Sequence, residues 1–209
     1  MKVWSNSFAD GAWIPAKYAL GKPDGSGKTE FSDNLNPHLA WSHLPEGTKS
    51  IAIVMRDLDV PSVPDDVHQE GRVVPADLPR AEFSHWVWVG LSPDAVVEEG
   101  AVSQGVKPGG KAASDAPPGT RYGINDYTGW FAEDADMAGD YFGYDGPCPP
   151  WNDGLVHRYQ FTVYALDTDT LALTGRFTRT DLMKAIEGHV LDQASLQGKY
   201  KIYAEAVER

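Results

Sequence analysis

The chain has 209 residues, and its 18 Lys and Arg against 30 Asp and Glu give a formal net charge of −12 at pH 7. This acidic balance argues against nucleic acid and anionic membrane surfaces as partners, although a small anion can still bind at one local site. The single cysteine, Cys148, excludes an internal disulfide bond and a zinc site built from several cysteines. We expect one globular domain over residues 1–209.

No apolar run approaches the roughly 20 residues of a membrane-spanning helix, so we expect no integral membrane contact. The first residues, MKVWSNSFADGAWIP, lack the continuous apolar stretch of a secretory signal peptide. Together with the lone cysteine, these features favour a cytoplasmic location.

Four segments are rich in β-branched and aromatic residues and alternate as β-strands do, namely 50–57, 84–91, 156–166 and 199–207. In the second of them, alternation places His85 on the face of Val87 and Val89, and Trp86 and Trp88 on the opposite face. The polar, glycine- and proline-rich segments 21–37, 61–79 and 104–119 are predicted to be loops.

A helix is indicated near the C-terminus, where Leu182, Met183 and Ile186 form an apolar stripe. Thr180 is its predicted N-cap and Gly188 its predicted end. Residues 190–196 are predicted to form a second short helix. Many strands followed by short helices favour a mostly β protein, a two-sheet antiparallel β-sandwich with a few short peripheral helices near the C-terminus.

Three polar residues stand at the ends of the apolar strand faces. Asp57 ends the first strand, His85 opens the second and His157 opens the third. An aspartate at a strand end is often only a turn former, and a histidine beside a tryptophan is often a packed core residue. Because strand ends can present side chains to a pocket, the three together predict a shared site.

The sequence around these positions carries a long set of motifs. Residues 57–61 read DLDVP, His85 precedes Trp86, and residues 144–159 read YDGPCPPWNDGLVHRY. Together they resemble the phosphatidylethanolamine-binding proteins, within them the bacterial and archaeal Raf kinase inhibitor-like branch. That family carries Asp-Pro-Asp-Ala-Pro, a His-Trp strand, Tyr-x-Gly-Pro-x-Pro-Pro and Gly-x-His-Arg-Tyr. Segments 35–50 and 123–126 also match, as does 185–200, which corresponds to the closing helices of the branch.

The resemblance implies a binding protein rather than an enzyme, without a cofactor. Its small anion pocket would take phosphoryl or similar groups, as in a phospholipid headgroup, a phosphorylated small molecule or a phosphorylated residue. A regulated kinase or protease partner and a homodimer are further implications. The pocket residues carried over to this chain are Asp57, Pro61, His85, Gly146, Cys148, Pro150, His157 and Tyr159, with Asp59 in a structural role.

This chain departs from the family pattern in two ways. Leu58 and Val60 replace the usual Pro and Ala of the first motif, and the loss of the proline loosens the local backbone. Loop extensions around 61–83 and within 104–142, chiefly 129–142, flank the pocket motifs, and Phe83 retains an apolar wall. The identity of the ligand is therefore the property that the family resemblance predicts least well for this chain.

The chemistry expected of such a pocket follows from its residue types. His85 and His157 can supply N–H groups and become cationic near their ordinary pKa of about 6.5. Backbone N–H groups around 146–148 could form an anion-binding concavity. Asp57 would accept a hydrogen bond from an imidazole and raise the pKa of that imidazole, or would bind the ammonium group of a zwitterion. These roles predict tighter anion binding below pH 7 than above it.

Two other classes of function remain open from the sequence. Asp57, His85 and His157 are the ligand types of a two-histidine, one-carboxylate iron site, which would make the protein a metal-dependent enzyme. A hydrolase with Cys148 as nucleophile and His157 as base is a weaker version. Alternatively, the chain is an interaction protein with a vestigial pocket, in which Trp130 and Trp151 are exposed contacts or rim residues.

Overall fold

The computed structural model describes residues 1–209, and its largest element is a five-stranded antiparallel sheet in the order β7-β6-β5-β8-β9. Two short ribbons, β1–β4 and β2–β3, accompany it. None of the helices combines the length and apolar character required to cross a membrane. The elements are β1 (Lys2–Trp4), β2 (Gly21–Pro23), β3 (Thr29–Phe31), β4 (Ala40–Ser42), β5 (Ser50–Pro61), β6 (Arg80–Leu91), β7 (Arg121–Tyr122), α1 (Tyr127–Trp130), β8 (His157–Leu166), α2 (Arg179–Ala185) and β9 (Val190–Tyr200), with 3₁₀ turns at Ala16–Tyr18 and Ala113–Asp115.

The large sheet is covered on both faces, because successive side chains of a strand point to opposite sides. Ile51, Ile53 and Met55 of β5 face the larger core, whereas Ala52 and Val54 face a smaller core. The larger core packs the sheet against N-terminal segments, and the smaller one packs it against α2 and the loop before it. The prediction of a mostly β, antiparallel fold with few helices is confirmed.

Several predicted boundaries are wrong. Residues 190–196 form the first part of β9 rather than a helix, and this strand pairs antiparallel with β8 and ends at Tyr200, so 199–207 is not a strand. Pairing along the edge of β8 supplies backbone hydrogen bonds that outweigh the weak local preference of this segment. The predicted loop 21–37 contains the β2–β3 hairpin.

A β-bulge in β6 reverses the predicted orientation of His85. Met55 pairs with Trp86 and Arg56 pairs with Ser84, so His85 is an extra residue without its own partner on β5. Such a bulge re-aims one side chain while the rest of the strand keeps its alternation. The ring of His85 therefore lies 5.3 Å from the ring of Tyr159, on the side of the larger core, rather than with Val87 and Val89.

The cap of α2 lies two residues before the predicted one. Thr178 is the N-cap, and its hydroxyl accepts a hydrogen bond from the backbone N–H of Asp181. The carboxylate of Asp181 accepts the backbone N–H of Thr178 in return, which completes a capping box. Thr180, the predicted cap, is an exposed residue inside the helix.

We expect Thr178→Ala to lower the free energy of unfolding by about 1 kcal/mol, because the hydroxyl that caps the helix is lost. The matched change Thr180→Ala should alter it by less than about 0.5 kcal/mol, since Thr180 is exposed and caps nothing. Urea unfolding of both variants measures the difference. A larger loss for Thr180→Ala than for Thr178→Ala would contradict the assigned cap.

Candidate functional site

A cavity of about 370 Å³ opens beside β5, β6 and the start of β8, and the loop at 148–151 forms one of its sides. Most of the predicted site residues line it, namely Asp57, Pro61, His85, Cys148, Pro150 and His157. Gly146 and Tyr159 do not line its surface. Asp57, His85 and His157 line the innermost part of the cavity, which we call the floor. Tyr159 lies beneath the floor against His85, and Gly146 lies against the backbone of Tyr18.

His157 is bound on both sides of its ring by carboxylates. Its Nδ1 donates to Oδ2 of Asp57 at 2.7 Å, and its Nε2 donates to Oδ2 of Asp153 at 2.9 Å. Burial alone would lower the pKa of His157, but the two carboxylates outweigh it and raise the pKa to about 9. The ring is therefore an imidazolium at neutral pH, and neither N–H is free for a ligand, contrary to the prediction for this residue.

Asp57 has the task that the sequence predicts, accepting a hydrogen bond from an imidazole. Its Oδ2 accepts the hydrogen bond from Nδ1 of His157, and its Oδ1 accepts the backbone N–H of Asp59 at 2.8 Å. Burial would raise the pKa of Asp57, but the charge and hydrogen bond of His157 hold it below its ordinary value. Asp59 in turn accepts three hydrogen bonds from Arg158, two from its guanidinium and one from its backbone N–H, in agreement with its expected structural role.

Asp153 and Arg80 belong to the same buried network, and neither is among the residues predicted from the sequence. Arg80 donates to the two carboxylate oxygens of Asp153 at 2.6 and 3.0 Å, and its side chain is only 3% exposed. Two carboxylates, one imidazolium and one guanidinium thus cancel in charge. Asp153 stands four residues before His157, and a search for a second partner of that histidine could have found it. Arg80 is 73 residues away from Asp153 along the chain, and no local pattern marks it.

His85 is the imidazole that keeps a nitrogen available. Its Nδ1 donates to the backbone carbonyl of Asp145 at 2.8 Å, which leaves Nε2 outside the protein's own hydrogen bonds. Burial lowers the pKa of His85, although the charge of Asp57 opposes the shift. At neutral pH, Nε2 therefore carries a lone pair, and it becomes a donor only when the ring is protonated.

Two further groups close to the floor have no partner at full hydrogen-bond geometry within the protein. The hydroxyl of Tyr159 is buried beneath the floor near the carboxylate of Asp57, and burial together with the charge of that carboxylate raises its pKa well above 10, so it remains an O–H donor. The backbone N–H of Cys148 also makes no hydrogen bond within the protein. By contrast, the N–H of Gly146 donates to Asn34 at 2.8 Å, so it is not part of the predicted anion-binding concavity.

Gly146 is required by packing. A Cβ atom at this position would lie 1.9 Å from the carbonyl oxygen of Tyr18, and no side chain can occupy that space. Its own carbonyl accepts the hydroxyl of Tyr127, a cavity-lining residue, at 3.0 Å. Gly146 therefore positions the loop that carries Cys148, and its own N–H and carbonyl are both engaged within the protein.

The two enzyme hypotheses find no support in this geometry. Burial raises the pKa of the Cys148 thiol to about 12, so the thiolate is not formed at neutral pH. His157 cannot act as its base, because both ring nitrogens already donate to carboxylates. Both ring nitrogens of His157 face carboxylates, and no group of three or more His, Cys, Asp or Glu side chains is arranged to hold a metal ion.

The walls above the floor are apolar and come largely from the loop extensions. Pro61, Pro64, Val67 and His68 contribute from the first extension, as does Phe83 at its end. Trp130 and Phe131 contribute from the second, and Trp151 follows the proline-rich loop. Both tryptophans that were predicted as possible rim residues thus line the cavity.

A family model described as phosphatidylethanolamine-binding protein matches residues 4–201. The chain belongs to this family. It is 31% identical to the UPF0098 protein of Methanothermobacter thermautotrophicus over 96% of this chain and 99% of that relative. It is also 31% identical to the UPF0098 protein YbhB of Escherichia coli, over 82% of this chain and 81% of that relative.

Solved structures agree with the family assignment. A putative phosphatidylethanolamine-binding protein homologue from Chlamydia trachomatis has a TM-score of 0.62 and 26% identity, covering 96% of both chains. Escherichia coli YbcL has a TM-score of 0.64 with 23% identity over 96% of this chain and 98% of its own, which shows the shared fold. The resemblance noted in the sequence is confirmed, and membership of this family supports a ligand-binding protein.

The assignment of His157 as an imidazolium predicts its titration. We expect its pKa to be about 9 and to fall by about one unit or more in Asp153→Asn, which removes one negative partner. Because the folded-state pKa exceeds the ordinary 6.5, this ion pair stabilises the fold fully below about pH 6.5 and is lost as pH rises through about 9. Side-chain ¹⁵N NMR reports the pKa of His157, with the exposed Asp65→Asn as the control. Titration of wild-type His157 near 6.5 would contradict the doubly paired geometry.

Proposed function

We propose that the protein binds a small molecule through an oxyanion, such as a phosphoryl group, at the floor of the cavity. The observation that carries this proposal is the set of unpaired groups described above: the N–H of Cys148, the O–H of Tyr159 and Nε2 of His85. The buried hydroxyl of Tyr159 without a partner costs roughly 1–3 kcal/mol, and a ligand oxygen that accepts its hydrogen bond would remove that cost.

The charges of the floor are compatible with an anion. Asp57 would repel an oxyanion if it stood alone, but its charge is balanced by His157, and that of Asp153 is balanced by Arg80. Protonation of His85 adds both a donor and a positive charge beside the ligand. The prolines on either side of Cys148 fix its backbone, which lowers the entropic cost of ordering the loop on binding.

The same arrangement supports binding rather than chemical turnover, since the cavity offers a protonated thiol and a histidine whose nitrogens are both occupied. A phospholipid headgroup, a phosphorylated small molecule and a phosphorylated residue share the oxyanion that the proposal requires. A kinase or protease partner, a homodimer and a cytoplasmic location remain predictions.

Removal of the Tyr159 hydroxyl tests the proposed contact directly. We expect Tyr159→Phe to weaken the binding of methyl phosphate by roughly tenfold or more, because one hydrogen bond to a charged group is lost. Tyr122→Phe is the matched control, since the hydroxyl of Tyr122 is also buried without a partner, but its ring packs against Trp88, whereas Tyr159 packs against the cavity-lining rings of His85 and His157. Isothermal titration calorimetry measures both affinities. Equal losses in the two variants, or no loss in either, would count against the proposal.

The pH dependence tests the role of His85. Methyl sulfate keeps the same charge between pH 5.5 and pH 8, so a change in its affinity reports on the protein. Protonation of His85 adds a donor and a positive charge, and burial moves its pKa below 6.5, so we expect affinity to rise as the pH falls to 5.5, with the increase confined to the range below pH 6.5. His85→Gln should flatten this rise by removing the titrating group. Equal wild-type affinity at both pH values would refute the role of His85.

A further inference from the structure

The outer part of the cavity contains a right-angled corner of aromatic rings. The rings of His68 and Trp151 are nearly parallel, with centroids 6.0 Å apart and planes at 10°. The ring of Trp130 stands at 82° to His68, also with a centroid separation of 6.0 Å. Trp130 is 49% exposed, so part of its ring surface is open to a ligand. We refer to His68, Trp130 and Trp151 as the aromatic corner.

The aromatic corner is held in place by a buried amide. Asn152 accepts the backbone N–H of His68 at 3.0 Å through its side-chain oxygen. Its side-chain nitrogen donates to the carbonyls of Asp66, Gln69 and Arg72, so one side chain binds the loop at four points. These bonds maintain His68 at φ +60°, a left-handed conformation that non-glycine residues rarely adopt. The corner is thus organised before any ligand arrives.

The cavity is also larger than an oxyanion needs. Its volume of about 370 Å³ lies at the lower end of the range for small-molecule sites, roughly 300–1,000 Å³. A phosphoryl group at the floor would leave the apolar outer part unfilled. The remaining space suits one ring system and does not suit a diacyl phospholipid buried as a whole. Flat aromatic walls favour a planar ring, which can stack on one wall and meet the other edge-on.

We propose that the aromatic corner is a second subsite, which binds the aryl group of a ligand whose oxyanion sits at the cavity floor. This assignment rests on the proposed function, because it places both groups in one cavity. The preferred ligands are then aryl phosphates and similar aryl-bearing oxyanions, rather than phosphate alone or a lipid headgroup. The residues that select the aryl group come from the two loop extensions and from the position next to the proline-rich loop.

Three monoesters that differ only in the ester group test the assignment: methyl, cyclohexyl and phenyl phosphate. Calorimetry should show phenyl phosphate binding at least about tenfold more tightly than methyl phosphate, because the ring is buried. Phenyl phosphate should exceed cyclohexyl phosphate by roughly threefold, because planar rings gain from stacking beyond their area. The matched volumes of phenyl and cyclohexyl groups isolate this second effect.

Three tryptophan variants test whether the preference for phenyl phosphate arises at the aromatic corner. Trp130→Ala should reduce the advantage of phenyl over methyl phosphate, and Trp151→Leu should abolish the preference for phenyl over cyclohexyl. Trp13→Ala is the control, because Trp13 is also a half-exposed tryptophan, and it lies outside the cavity. Since Trp130 is half-exposed, its replacement tests the corner even if Trp151→Leu fails to fold.

The outcomes separate the two proposals. Equal binding of methyl and phenyl phosphate would overturn the aryl subsite and leave the oxyanion site intact. Equal binding of cyclohexyl and phenyl phosphate would likewise overturn the selection of planar rings. Tighter binding of dihexanoyl-phosphatidylethanolamine than of phenyl phosphate would overturn the assignment in favour of a lipid. Failure of all three monoesters to bind would refute the proposed oxyanion site itself.

Discussion

The doubly paired imidazolium of His157 is the interaction on which the cavity floor depends. It joins the start of β8 to β5 through Asp57 and to the preceding loop through Asp153, which is in turn fixed by Arg80 of β6. Removal of one member of such a buried network leaves an uncompensated charge and typically costs 3–5 kcal/mol. Three strands and one loop are therefore held in register by groups whose charges cancel.

This constraint determines which groups remain for a ligand. Because His157 donates both its protons to carboxylates, it stabilises the floor and contributes no hydrogen bond to the cavity. In the proposed function, recognition then falls to His85, Tyr159 and the backbone of Cys148, whose hydrogen-bonding groups the fold leaves unpaired. His85 reaches this place only because a bulge in β6 turns it toward the larger core. Structure and recognition are thus divided between two histidines that look equivalent in the sequence.

Above the floor, the loop extensions supply most of the apolar and aromatic walls of the cavity. Asn152 binds the loop at 66–72 by four hydrogen bonds, and it sits between Trp151 of the aromatic corner and Asp153 of the charge network. The outer walls and the buried floor are therefore tied to one short stretch of chain. In the proposed function, the floor binds the oxyanion that all ligands of the site would share. The loop extensions then select the organic group that is attached to that oxyanion.

The sequence by itself determined the mostly β class, the family, and the position of most cavity residues. Local motifs such as YDGPCPPWNDGLVHRY and the two-residue period of β5 and β8 indicate these properties. Both signals can be read without knowing which strands pair with each other. Only the tertiary structure decided the bulge at His85, the pairing of His157 with Asp153, and the choice of strand over helix at residues 190–196. The physical reason is the same in each case. Register, counter-ion and edge pairing are set by residues distant along the chain, and their energies exceed the local preferences that a sequence pattern reports.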